Sequence, residues 1–369
     1  MRRVRLGDIL TFQRGYDLTH KQMNGGNVAV VGSSEIIGWH DKEKVRSPAL
    51  LIGRSGTVGR PQYYEQNIWA HNTTLFVSDF HDNDPKFAYY FLKSLNLEDY
   101  ANSSGVPTLN RNFIHPLIVN YPEPLEQKKI AGVLSAIDDK IGLNNKLNDK
   151  LETLARELYN YWFVQFDFPD ESGRPYKTNG GAMVWNDELK REIPEEWSAK
   201  TIGDMAEVVR GTMITEKQSE KGNVKVVAGG LGYSYLNSKY NRKRNTVTIS
   251  GSGANAGYIN FWREDIFASD CTTVRGETDF DTILIHRHLE MYQEHIFRCA
   301  KGSAQPHVYP SDIKSIWFYD MPANVKDNLK AVFILTNDQI ATLEKENERL
   351  VELRDFLLPL LMNGQVSVN

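Results

Sequence analysis

The chain is written twice, and that duplication constrains the fold more than any other feature of its 369 residues. Leu6-Gly7-Asp8 returns as Ile202-Gly203-Asp204, Arg14-Gly15 as Arg210-Gly211, and Lys21-Gln22 as Lys217-Gln218, each at an offset of 196 (203 − 7). Gly26-Asn27-Val28 returns as Gly222-Asn223-Val224. Farther along, Ser55-Gly56 matches Ser252-Gly253, Ile68 and Ala70 match Ile266 and Ala268, and Pro107 matches Pro306. By Asp139 and Ile141, which match Asp338 and Ile340, the offset has drifted to 199 (338 − 139). A period this long lies far outside the roughly 20–50 residues of solenoid units, so a whole domain has been duplicated. Two copies in one chain make an internal pseudo-dimer. A pseudo-two-fold suits a target that itself has two halves.

Each copy divides in the same way. The first part, residues 1–121 and 197–320, is rich in glycine, aromatics and short β-prone runs such as Val28–Val31, Ala49–Ile52, Thr74–Val77, Val224–Val227 and Thr246–Ile249. A helix is expected near 85–100, with its counterpart near 282–300. The second part, 122–165 and 321–363, is helical. Ile130, Leu134, Ile137, Ile141, Asn144, Asn148, Leu151, Ala155, Leu158 and Trp162 step by four and three, which is a heptad seam. Leu329, Phe333, Thr336, Ile340, Leu343, Asn347, Leu350, Arg354, Leu357 and Leu361 repeat it. Pro124 and Pro322 mark the helix starts, and Gly364 ends the second. About 40 residues at 1.5 Å each make a rod of roughly 60 Å.

Asn148 and Asn347 hold equivalent seam positions. Buried, they would fix register; where the seam frays, they would face solvent. Between the copies, 166–196 carries Gly173, Pro175, Gly180-Gly181 and Pro194 and reads as an irregular connector; 364–369 is a tail. The fold class is therefore α+β. Two mainly-β domains are separated by two long helices that form an antiparallel coiled coil, all within a pseudo-two-fold repeat.

Composition narrows the function. Apolar residues at 41% and charged residues at 24% support a packed core. With a net charge of only −4, any attraction for nucleic acid must be local. Cys271 and Cys299 are too few for a disulfide framework, which points to a reducing compartment. No apolar stretch follows the basic start, and no run approaches membrane-span length, so a cytoplasmic, soluble protein with no membrane partner is expected.

Local charge is present in register. Residues 221–263 contain Lys221, Lys225, Lys239, Arg242, Lys243, Arg244 and Arg263 and no acid; residues 44–64 contain Lys44, Arg46, Arg54 and Arg60 and no acid. Phosphate neutralisation needs such clusters, although a solvated basic face has the same composition. Each patch encloses a glycine loop, Gly53-Arg-Ser-Gly-Thr-Val-Gly59 and Gly251-Ser-Gly-Ala-Asn-Ala-Gly257. Neither has the spacing of a nucleotide motif, and a tight hairpin is the other reading. A second polar loop recurs at 103–108 and 302–307. The candidate DNA-binding residues are Lys44, Arg46, Arg54, Ser55, Thr57 and Arg60 in the first copy. In the second they are Lys239, Arg242, Lys243, Arg244, Ser252, Asn255 and Gln305. Arg54, Arg60, Arg242 and Arg244 are expected on the DNA face.

No catalytic or metal set is expected. There is no Pro-Pro pair, so the base-gripping element of amino-methyltransferases is missing. Pro169-Asp170 with Glu188-Leu-Lys190 has the order of a metal-nuclease signature but lies in the connector. His288, His295 and Cys299 share a helix face without a fourth ligand and fit core packing better than zinc.

Several segments resemble the specificity subunits of type I restriction–modification systems, over nearly the whole chain. The most diagnostic are Trp162-Phe-Val-Gln-Phe-Asp-Phe-Pro169, Arg174-Pro-Tyr-Lys177, Gly180-Gly-Ala-Met183 and Ile193-Pro-Glu-Glu-Trp197. Leu6-Gly-Asp-Ile9, Arg54-Ser-Gly-Thr-Val-Gly59, Pro124-Leu-Glu-Gln-Lys-Lys-Ile130 and Asp138-Asp-Lys-Ile141 are also similar. In the second copy, Met321-Pro-Ala-Asn-Val-Lys-Asp327 departs from the Pro-x-x-x-Glu-Gln pattern. The resemblance implies two target recognition domains, each reading half of a split site in double-stranded DNA, with the helices as a ruler. It implies docking of two methyltransferase subunits and of restriction (translocase) subunits. It also implies that S-adenosylmethionine, ATP and Mg²⁺ belong to those partners, with adenine N6 methylated after base flipping. A fused enzyme and a coiled-coil scaffold without DNA specificity are the alternatives.

Overall fold

A computed structural model describes residues 1–102, 105–300 and 306–368. The chain forms two compact units, one of residues 1–143 with 347–369 and one of residues 144–346.

In the first unit, strand Arg2–Arg5 pairs with Ile118–Tyr121 and so clasps the start of the β domain to its end. A four-stranded antiparallel sheet follows in the order Thr11–Arg14, Thr74–Asp79, Ala49–Gly53, Pro61–Tyr64. A three-stranded sheet runs Ile36–His40, Val28–Val31, Ile68–Ala70, its last pair parallel. Ala49–Gly53 is buried along its whole length. Successive side chains of a strand point to opposite faces. Leu50 and Ile52 thus enter the core beneath helix Pro85–Ser94, while Ala49 and Leu51 pack with Ala29, Val31, Ile68 and Ala70 of the smaller sheet. That explains an unbroken apolar run: both faces are covered. The helix starts where Asp84 accepts the Phe87 amide at 2.8 Å and Pro85 supplies a preset first turn.

The second unit repeats this plan element for element. Ser198–Thr201 pairs with Trp317–Asp320. The larger sheet runs Ala206–Arg210, Cys271–Gly276, Thr246–Ser250, Ile259–Trp262. The smaller runs Tyr233–Asn237, Val224–Val227, Ile266–Ala268, again with a parallel last pair. The helical segment is longer, Asp279–Met291 and then Gln293–Cys299, and opens on a capping box between Thr278 and Asp281.

The long helices are Pro124–Tyr159, continued by a π-helical turn Asn160–Val164, and Ala323–Met362. Gly364, at φ 67°, follows the second. Each helix contributes to both units. In the first unit, Ile130 and Leu134 share a core with Leu358, Leu361 and Met362. There Asp138 accepts hydrogen bonds from Arg354 at 2.9 Å and from the Tyr90 hydroxyl at 2.7 Å. In the second unit, Tyr159 and Phe163 share a core with Leu329 and Phe333. Early residues of one helix meet late residues of the other in each unit, so the pair is antiparallel. Ile137, Ile340, Leu343 and Ala155 are buried as the seam requires, while Ile141, Leu151, Leu350 and Asn347 are half-buried. The seam asparagine that is fully buried is Asn144, 1% exposed, whose side-chain amide donates to Glu346 at 2.7 Å. Asn148 is half-buried, and its Oδ1 accepts no bond among the described residues.

One expectation needs correction. Residues 166–196 are not an irregular connector. Met183–Asn186 and Arg191–Pro194 form an antiparallel hairpin. Phe166, Phe168, Ile193 and Trp197 are buried in the core of the second unit. Phe168 stacks on Tyr176 and Trp197 with ring centroids 4.8 and 5.1 Å apart. Glycine and proline signal the turns of this segment correctly, but its aromatic side chains bind it to the domain that follows.

Candidate nucleic-acid interface

The two basic stretches fold into equivalent turns. In the first unit Val45 bridges to Ile68, and the Ser47 amide donates to Asn67 Oδ1 at 2.9 Å. In the second, Arg242 bridges to Ile266 and the Arg244 amide donates to Asp265 Oδ1 at 2.7 Å. The side chains around these turns differ. Lys44 is exposed, with its ammonium 5.4 and 5.3 Å from the ring centroids of Tyr16 and Trp69. The side chain of Arg46 is 90% exposed, with Glu43 3.8 Å away.

In the second unit the charge is largely absorbed. Arg242 donates to Thr273 Oγ1 at 3.0 Å, to the Asn241 carbonyl at 2.8 Å and to the Arg210 carbonyl at 3.4 Å. Its guanidinium therefore braces the turn, at the position where the first unit has the core residue Val45. Arg244 pairs with Asp338, and Lys239 with Glu220 at 3.2 Å. Arg263, only 7% exposed, is held by Glu152, Glu344 and Asn337. Lys243 remains exposed. The run 221–263 contains no acid, yet acids from outside it (Glu220, Asp338, Glu152, Glu344) fold onto its cations. An acid-free run is thus not an acid-free surface.

The glycine loops are tight turns. Gly59 donates to the Gly53 carbonyl at 2.9 Å. Gly56 and Gly59 have φ of 87° and 75°, the left-handed region that favours glycine. In the second unit Gly257, at φ 93°, donates to the Ser250 carbonyl at 2.8 Å. Thr57 and Arg60 are exposed on the first loop, while Asn255 is half-buried on the second and accepts the Tyr258 amide through its carbonyl at 2.9 Å. Gln305 lies outside the described residues.

The fold joins loops that the sequence offered separately. Leu109 donates to the Arg54 carbonyl at 2.8 Å, and Val308 donates to the Gly251 carbonyl at 3.2 Å. Ser55 bridges to Thr108, and Ser252 to His307. In each copy, the start of the glycine loop therefore meets the residues that close the second polar loop, 108–109 and 306–308. In the first unit both meet the end of the first strand of the larger sheet at Arg14, and in the second the glycine loop lies beside Arg210 through Asp270. In the first unit these three segments enclose an open polar cleft of about 620 Å³. Arg14, Arg54 and Arg111 line it, with Asp17 as the opposing charge. The Asn72 amide, followed by Arg14, holds the Asp17 carboxyl below its usual range despite some opposing burial. Arg54 donates to the Asn72 carbonyl at 3.0 Å. In the second unit Ser252 and Arg210 both donate to Asp270, at 2.8 and 2.7 Å, and these bonds depress its pKa, with Arg210 the larger contributor. Arg14 and Arg111 escaped the sequence reading. The recurrence of Arg14-Gly15 as Arg210-Gly211 was the signal for the first; nothing local marks the second.

The discounted sites have structural occupations. Asp170 caps its own turn and pairs with Arg174 at 3.1 Å, and Lys190 lies 3.9 Å from Asp187. His288 is buried, with Nε2 2.8 Å from the Trp317 carbonyl and Nδ1 2.9 Å from the Tyr159 hydroxyl. A carbonyl can only accept, so Nε2 carries a proton, and burial disfavours a second one on Nδ1, which then accepts from the tyrosine. Burial lowers its pKa to about 4. Among the described residues, no helix is long and apolar enough to cross a membrane, and no group of three His, Cys, Asp or Glu is placed to hold a metal ion.

Known proteins share this plan. The chain is 27% identical over 313 residues to the type I restriction enzyme MjaIX specificity subunit of Methanocaldococcus jannaschii, covering 77% of this chain and 69% of the relative. It is 21% identical over 361 residues to the type I restriction enzyme HindI specificity subunit of Haemophilus influenzae, covering 76% and 77%. The crystal structure of the type I restriction–modification system S subunit from M. genitalium has the same fold. It superposes with a TM-score of 0.67 at 17% identity over 98% of this chain and 95% of that one. The family model of the type I restriction modification DNA specificity domain matches residues 1–153 and again 194–350, one match for each copy of the repeat, and the chain belongs to that family.

Proposed function

We propose that this chain is the non-catalytic specificity subunit of a type I restriction–modification complex and reads a split site in double-stranded DNA, one β domain to each half. The observation that carries the reading is the duplicated framework. Both units set a glycine loop against the residues that close a second polar loop, with the arginine-bearing end of a strand beside the glycine loop. Their side chains differ, as two different half-sites require.

The helices act as the spacer and as the dock for two methyltransferase subunits and for restriction (translocase) subunits. Exposed apolar side chains on them support docking: Leu125, Leu353 and Phe356 in the first unit, Leu147, Leu154 and Leu335 in the second. S-adenosylmethionine, ATP and Mg²⁺ are bound by those partners, and the assembly works in the cytoplasm on adenine N6. The test is long-read mapping of adenine methylation in a methylation-free host, with the system's methyltransferase subunit expressed alone or with this chain. A split motif that appears only with the chain is the expected result. Unchanged methylation in a complex that demonstrably forms would reduce the chain to a scaffold.

A further inference from the structure

The cleft of the first unit is built as a place for base edges. Arg14, Arg54 and Arg111 line it beside three carboxamides, Gln13, Asn110 and Asn112. Except for half-buried Arg54, these side chains are exposed. Arginine pairs bidentately with guanine O6 and N7, and asparagine or glutamine with adenine N6 and N7, so this mixture suits the major-groove edge of purines. Net positive charge in the cleft draws the duplex in.

The second copy supplies the contrast. It keeps the framework bond of the cleft, from Val308 to the Gly251 carbonyl. It does not keep the side chains that the two loops contribute. Gly251 stands where the first unit has Arg54. Pro310 opens the short helix that Arg111 opens in the first unit. Arg210 is retained from Arg14 and pairs with Asp270 much as Arg14 pairs with Asp17, so the exchange lies in the two loops. Two domains that read different half-sites need a common backbone frame and different groups facing the bases. Here the backbone frame and the strand arginine are retained and the hydrogen-bonding groups of the loops are exchanged.

We infer that the cleft lined by Gln13, Arg14, Arg54, Asn110, Arg111 and Asn112 is the purine-reading site of the first recognition domain and sets the specificity of one half-site. The inference rests on the DNA-reading function proposed above, and the experiment separates the two. Wild-type complex is titrated against its mapped duplex, against a scrambled duplex, and against duplexes in which each purine of one half is replaced in turn by its 7-deaza analogue, which lacks the N7 acceptor. The same series is run on Arg111→Gln, on Gln13→Ala and on Arg46→Ala, which lies outside the cleft.

One or two 7-deaza positions confined to a single half-site should weaken wild-type binding roughly tenfold or more. Arg111→Gln or Gln13→Ala should weaken the normal duplex by a similar factor and lose little more on the 7-deaza duplex. Arg46→Ala should weaken every duplex alike and keep the 7-deaza sensitivity. Cleft variants that remain as sensitive to 7-deaza bases as wild type, or that weaken all duplexes equally, would overturn the purine-reading role. Wild-type complex that fails to tell the mapped duplex from the scrambled one would instead overturn the DNA-reading function.

Discussion

Strand Ala49–Gly53 and its counterpart Thr246–Ser250 occupy the same place in the same sheet, yet their inner faces are chemically opposite. Ala49 and Leu51 meet the smaller sheet of the first unit through apolar contact. In the second unit that face carries Thr246, Thr248 and Ser250, all buried. Their hydroxyls are bonded: Thr246 donates to the Lys243 carbonyl at 2.7 Å, Ser250 to the Gly229 carbonyl at 2.9 Å, and Thr248 accepts from Trp262 Nε1 at 2.8 Å. Charge follows the same divide. The first unit secures its helices with Asp138 between Arg354 and Tyr90. The second buries Arg263 and Arg287, 7% and 4% exposed, around Glu152. The duplicated backbone therefore accepts either apolar joints or polar ones whose hydroxyls and charges are paired.

The largest expected effect falls on the ionic joint of the second unit. Burial pushes the Glu152 carboxyl up, but Arg287 and Arg263 outweigh it and hold it below its ordinary range. Glu152→Ala leaves two buried guanidinium groups undercompensated and should cost about 3–5 kcal/mol. Hydrogen exchange followed by mass spectrometry should show the loss in residues 144–346. Protection lost equally from the first unit would refute the separation.

Acid should come next. The folded His288 takes up a proton only near pH 4, below its ordinary value of 6.5. As pH falls through that window the unfolded chain binds the proton first, so stability drops, by about 3 kcal/mol from this group alone. Burial, and then Arg287, Arg263 and Arg156, lower His286 as well, in the same direction. The second unit should therefore open before the first on acidification. A His288→Gln variant whose unfolding keeps the full pH dependence would exclude this cause.

A smaller contrast tests the strand faces themselves. Thr248→Val removes the acceptor of Trp262 Nε1 and should destabilise the second unit by about 1–3 kcal/mol. Leu51→Val in the first unit removes one methylene and leaves every hydrogen bond in place, for about 1 kcal/mol. Denaturant unfolding of the two variants that ranks them the other way would break the comparison. Smallest of all, Arg46→Ala should change stability by no more than about 0.5 kcal/mol. If it touches a phosphate, it should lower the salt slope of DNA binding by about one. An unchanged slope would remove Arg46 from the interface.

Much of this was legible beforehand. The strands around Val28, Ala49, Thr74, Val224 and Thr246 stand where their β-branched and apolar runs put them, and Ile130, Leu134, Leu329 and Phe333 face the core as their spacing requires. The connector was misread because its turn residues are local signals, whereas the burial of Phe166, Phe168 and Trp197 depends on Tyr319 and other distant partners. Of the candidate site, the sequence offered the glycine loops and Arg54 and did not offer Arg111, because no local pattern distinguishes it from any exposed arginine.

By itself, then, the sequence determined the duplication, the order of elements and the seam, all of which are written in periodicities of one copy or of a few residues. Only the tertiary structure decided which cations stay available and what they surround. Arg242 braces its turn through Thr273 and the Arg210 carbonyl, and Arg244 pairs with Asp338. Arg54 opens into a cleft completed by residues 13–17 and 108–112. Charge pairing is short-ranged in space and indifferent to distance along the chain, so it is settled only when the chain has folded.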